Sequence, residues 1–250
     1  MRWLAVLVVI LVSATARAHV APSVEVNNHY LKVTPGAGRV RLAYTVFFGE
    51  VPGAQARRLI DTDRDGEISD VEAQVFGDKL ARDVAPAVEL AIDGAREPIT
   101  WASVSVGLGQ PVTKAGAFSV DLIAVRCLSA RGTHHVSIRD RFAIPRPGET
   151  ELLVEETPGV TIEQVQIAGR DVKDSGYLFE GPGGPLAEHG VQVRFTIGAQ
   201  APLASGAECT APTPGSSGAT IWIGGGLAGV VLAGTTMFAI RRRYSRQAPV

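Results

Sequence analysis

Catalytic signatures are missing from this chain of 250 residues. It has no GxSxG elbow, no HExxH pair, no GxxxxGK(S/T) loop and no GxGxxG between a strand and a helix. Acid/base pairs can be drawn from Asp171, Asp174 and Glu180 near Tyr177, or from Glu155 with Glu156. Charged clusters in turns are ordinarily solvated faces, so the chain reads as a non-enzyme, with an uncharacterised hydrolase as an alternative. A basic patch is missing too. Six of the 24 basic residues (Arg2, Arg17, Arg241, Arg242, Arg243 and Arg246) lie near the ends, which leaves 18 against all 25 acidic residues in 19–218, a balance of −7. That balance argues against nucleic acid and anionic lipid as partners. Cysteine is scarce, with Cys127 and Cys209 alone. In an oxidising compartment the two can bridge, or Cys209 can pair with its counterpart in a second chain.

What the chain does have is the run DTDRDGEISDVE over residues 61–72. Asp61, Asp63 and Asp65 offer side-chain oxygens at positions 1, 3 and 5, Glu67 a backbone carbonyl at 7, Ser69 the often water-mediated position 9, and Glu72 a bidentate carboxylate at 12. Gly66 falls at position 6, where the chain must turn sharply, and Ile68 at position 8 supplies an apolar anchor. The donors are all hard oxygen, and a bidentate Glu72 raises the coordination number beyond magnesium's octahedron, which favours calcium. The run resembles the loop of EF-hand calcium-binding proteins, and the resemblance covers these residues and their flanks. A short entering helix is expected over 52–60, although Arg57 and Arg58 stand where apolar packing residues belong. Val71, Val75, Phe76 and Leu80 recur at helical spacing in an exiting helix that ends near Pro86. EF-hands usually pair, and no second such loop occurs. A solitary site is expected to be weak, with a dissociation constant of ~10⁻⁴ to 10⁻³ M, as in extracellular modules.

Both ends of the chain place the loop in a calcium-rich compartment. Residues 1–18 read as a signal peptide, with a charged start, an apolar run over 3–12 and the small-x-small site Ala16-Arg17-Ala18, although an uncleaved anchor is the alternative. Residues 219–240 run 22 residues without a charge and are followed at once by arginines, as in a single membrane-spanning helix with a cytoplasmic tail over 241–250. Trp222 suits the outer interface, and Gly225 with Gly229 form a GxxxG spacing that would let two such helices associate. Residues 199–218 read as a Pro/Ser/Gly/Ala stalk, an arrangement that resembles cell-surface proteins released by a membrane protease.

The exported domain, residues 19–198, is expected to be mainly β. Apolar residues alternate in runs near 24–33, 40–48, 88–92, 99–106, 118–125, 135–144, 151–154, 161–167 and 191–197, separated by Gly, Pro and Asp turns. Such runs suggest a β-sandwich with the EF-hand inserted as its one substantial helical element, or else two small sandwiches breaking near 145–148. All five histidines (His19, His29, His134, His135 and His189) lie in this part. Cleavage after Ala18 would make His19 a chelating amino terminus for nickel or copper, while adjacent His134 and His135 point to opposite faces of a strand. The features Ala18-His19, VRLAYTVFF, the acidic loop and Ala-Ile-Asp-Gly at 91–94 resemble exported domains that accompany nickel and cobalt permeases of the hydrogenase and urease accessory type. That resemblance implies an accessory role, with a protein partner or permease, because this chain carries one membrane helix and no permease of its own.

Overall fold

Alternation of apolar and polar side chains over ten residues, as in RVRLAYTVFF, can bury only one face of a strand, and that face must find a second layer. The computed structural model describes residues 25–128, 130–167, 169–172, 178–180 and 185–201. The signal peptide, the 219–240 segment, Cys209, His19, Asp174 and Tyr177 lie outside the described residues. Within them the protein is mainly β. The elements run β1 (Asn27–Gly36), β2 (Arg39–Phe48), α1 (Glu50–Ile60), α2 (Asp70–Val84), β3 (Val88–Ile92), β4 (Ala95–Glu97), β5 (Trp101–Gly107), β6 (Phe118–Cys127), β7 (Gly132–Asp140), β8 (Pro147–Val154), β9 (Val160–Ile167), β10 (Arg170–Val172), β11 (Leu178–Glu180), α3 (Pro185–Glu188) and β12 (Val191–Ile197).

Two six-stranded sheets result, in the orders β11-β8-β1-β2-β6-β5 and β10-β9-β12-β7-β3-β4. β8 lies parallel to β1, whereas β1, β2, β6 and β5 form an antiparallel run. Leu42, Tyr44 and Val46 from one sheet and Val136, Ile138 and Phe195 from the other belong to one buried apolar cluster. Strands from both sides of residues 145–148 enter both sheets, so the chain does not divide there. Asn27, almost wholly buried, donates from Nδ2 to the Pro145 carbonyl at 2.6 Å and ties that crossing to β1.

Three departures from the sequence pattern have local causes. β4, β10 and β11 are three residues each, too short to display a period of two. β7 stops at Asp140, four residues before the apolar run ends, because the Asp140 carboxylate accepts from Phe142 N at 2.9 Å and Arg141 N turns to the Ala87 carbonyl. Ala201, inside the compositional stalk, is buried, and its carbonyl accepts from Arg131 Nη2 at 3.1 Å, so the packed domain reaches at least that residue. Cys127, at the end of β6, is disulfide-bonded.

Two of the five histidines, His29 and His134, serve the fold through their rings. His29 Nδ1 lies 3.0 Å from Asp140 Oδ2, to which the buried Tyr44 hydroxyl also donates at 2.9 Å, so this trio links the two sheets. The turn between β3 and β4 is Asp93-Gly94, both at positive φ (51° and 81°), the pairing that a two-residue hairpin turn demands. Asp93 Oδ2 takes the His134 ring at 2.7 Å and Oδ1 takes the His135 N–H at 2.8 Å. Burial raises the pKa of Asp93, but the His135 N–H, the His134 ring and both imidazole charges outweigh it and hold the carboxyl below its ordinary 3.8. A depressed carboxyl stabilises the fold above its unfolded pKa and loses that contribution as pH falls through its folded one. Acid unfolding of Asp93→Asn, followed by circular dichroism, is therefore expected to depend less steeply on pH below 3.8 than that of the parent. Equal steepness would contradict this role.

Candidate metal centre

The loop at 61–72 is carried between α1 and α2, which enter the chain between β2 and β3. α1 spans Glu50–Ile60, two residues longer at its start than expected, and buries Pro52, Gly53, Arg57 and Ile60. α2 starts at Asp70 behind the N-cap Ser69. It lies against β5 closely enough that a Cβ on Gly77 would come within 2.8 Å of Val106 Cγ2. Phe76 of α2 reaches the stacked pair Phe48 and Phe118, with ring centroids 5.8 Å and 5.9 Å away. Ile68, at loop position 8, is buried in the core.

Asp61, Asp63 and Asp65 each present a carboxylate oxygen, and these oxygens lie within 4.8 Å of one another. Backbone N–H groups gather them. Asp61 accepts from Arg64 N (2.7 Å) and Gly66 N (3.1 Å), Asp63 from Asp65 N (3.2 Å) and Asp65 from Glu67 N (2.8 Å). The loop reaches this shape through left-handed residues, Arg64 at φ 65° and Gly66 at φ 91°, and glycine makes the second of these free of Cβ strain. The Asp65 N–H lowers the pKa of Asp63, yet desolvation and the neighbouring charges of Asp65 and Glu72 outweigh it and raise the pKa. Among the described residues no basic side chain forms an ion pair with the three aspartates.

Glu72 is held elsewhere. Its Oε1 accepts from Thr62 N (2.6 Å) and Oγ1 (2.8 Å), and its Oε2 from Ser69 N (3.0 Å) and Oγ (2.8 Å). The Ser69 and Thr62 donors together pull its pKa down to about 2. Ser69 in turn accepts from Glu72 N at 3.3 Å, which completes a capping box, so its hydroxyl serves the start of α2. Ligation by Glu72 would exchange these four hydrogen bonds for contacts to a cation, a cost that lowers affinity. Asp61, Asp63 and Asp65 thus stand together, while Ser69 and Glu72 close the loop.

Two features of the site were not read from the sequence. Loop positions 6–8 pair with residues 111–113: Glu67 and Val112 form an antiparallel bridge, Ile68 N donates to the Pro111 carbonyl at 2.8 Å, and Thr113 N to the Gly66 carbonyl at 3.0 Å. Arg57, wholly buried, donates to the carbonyls of Leu108, Gln110, Val112, Gly116 and Ala117. Its guanidinium also lies 5.3 Å from the centre of the Phe118 ring. The signal for it was present, since Gly53, Arg57 and Ile60 recur at the helical spacing of an inward face.

No protein-family model matches the chain, and no curated protein matches it. The reading of the site therefore stands on the loop's own residues. Ser69→Ala, which leaves the aspartates in place, is expected to lower the metal-free protein's stability by about 1 kcal/mol through loss of the N-cap. Urea denaturation checks this, and an unchanged midpoint would show that the box contributes nothing.

Proposed function

We propose that this protein binds one calcium ion through the loop at 61–72, with Asp61, Asp63, Asp65, Glu67, Ser69 and Glu72 as its ligand residues. One observation carries the reading: three carboxylates share a space of 4.8 Å with no basic side chain among the described residues to neutralise them. Like charges so placed favour a cation of their own. All the donors are oxygen, which suits calcium over zinc or copper.

The fold that carries the site is a β-sandwich with an inserted EF-hand, a reading supported by two sheets that contribute to one core. The sequence supports a setting for it: an exported domain, packed at least as far as Ala201, tethered by the rest of the stalk up to residue 218 to one membrane helix at 219–240. The ion's role is mainly structural. Calcium neutralises the aspartates and fixes the loop between α1 and α2; at 100 times its dissociation constant it adds about 2.7 kcal/mol to stability. A sensor would expose an apolar groove on opening, whereas Phe76 and Ile68 are packed into the core side of the motif.

Calorimetric titration of the full-length protein in detergent tests this. Calcium is expected to bind at one site with a dissociation constant of ~10⁻⁴ to 10⁻³ M, and magnesium more weakly. The Asp61→Ala, Glu72→Gln double variant is expected to give no calcium heat. Full calcium heat in that variant would place the site elsewhere.

A further inference from the structure

A loop of this kind is ordinarily steadied by a second loop beside it, and here residues 111–113 occupy that place. Arg57 holds them there. A guanidinium has five N–H donors in a rigid fork, and Arg57 spends all five on carbonyls between Leu108 and Ala117. The segment that joins β5 to β6 is thereby curled around one buried cation. Val112 sits at the centre of this arrangement, since its carbonyl accepts from Arg57 Nη1 at 3.2 Å while the residue bridges Glu67. The other end of Arg57 is fixed as well: its own carbonyl accepts from Asp61 N at 3.0 Å. One residue thus touches both the first position of the loop and the segment beside its sixth to eighth positions. α1 and the segment also approach closely, because a Cβ on Gly53 would lie 2.6 Å from the Gly116 carbonyl.

An apolar residue would fill a buried helix position at lower desolvation cost, so packing alone does not account for an arginine whose acceptors are all neutral carbonyls. We infer that Arg57 is a positioning residue of the calcium site, acting through the 108–117 segment, which stands in for the missing second EF-hand. Arg57 meets no ligand oxygen. It keeps residues 111–113 in register with loop positions 6–8, so the loop holds the shape that closes around the ion. This inference rests on the calcium reading of the loop.

The test uses the full-length protein in detergent, with calcium affinity from calorimetry and release rates from exchange broadening of NMR signals during a calcium titration. Arg57→Lys keeps the charge and loses the fork. Thr113→Pro removes both the N–H and the hydroxyl that reach the Gly66 carbonyl and keeps the Arg57 side chain itself. Each folded variant is expected to bind calcium about tenfold more weakly, the range seen when groups behind a metal's ligands are removed, with the loss in a faster release rate. Because both act through one segment, the double variant is expected to lose little more than either alone. A folded Arg57→Lys with parental affinity and release rate would overturn the inference, as would losses that simply multiply in the double variant. Should Arg57→Lys fail to fold, Thr113→Pro decides alone, and parental release there overturns the inference. An absence of calcium binding in the parent would overturn the calcium reading and this inference together, whereas binding by a parent and variants that do not differ would overturn this inference only.

Discussion

Three carboxylates gathered within 4.8 Å repel one another, and the local structure exists to hold them against that repulsion. Four backbone N–H groups turn inward to meet them, two residues adopt left-handed conformations to allow it, and Ile68 fastens the loop to the core. A cation bound there would relieve the repulsion that remains. Under the proposed reading the loop is shaped in advance of a cation, an arrangement that would limit the ordering cost of binding.

The rest of the fold explains how a solitary loop is kept in shape. The sheet supplies β5 and β6, the segment between them supplies residues 111–113, and Arg57 from α1 draws that segment against the loop. Phe76 seats α2 on the Phe48 and Phe118 pair, so both helices are referred to the same sheet. Glu72 belongs to this frame, since its two oxygens clasp Thr62 at one end of the loop and Ser69 at the other. Under the proposed calcium reading, binding that had to undo those four bonds would be weaker than binding to an unencumbered carboxylate.

The sequence was most legible where the physics is local. Alternation in VRLAYTVFF revealed β2 and its buried face, and the acidic spacing revealed the carboxylate cluster, because both depend on residues close in the chain. Long-range partners were illegible. Nothing between residues 107 and 117 announces that it will pair with a loop more than forty residues earlier, and an arginine in an amphipathic helix is ordinarily assigned to solvent. The same limit hid the parallel pairing of β1 with β8 and the buried His29, Tyr44 and Asp140 trio, each joining segments about a hundred residues apart. Three-residue strands such as β4 were missed for a different reason, because a period needs more residues to be seen.

Crystallographic location of the ion tests the central claim most directly. In crystals of the full-length protein soaked in calcium well above ~10⁻³ M, the account predicts one anomalous-scattering peak among Asp61, Asp63 and Asp65, with surrounding oxygens at about 2.3–2.6 Å. Density for calcium at another place, or none between those three carboxylates, would contradict it.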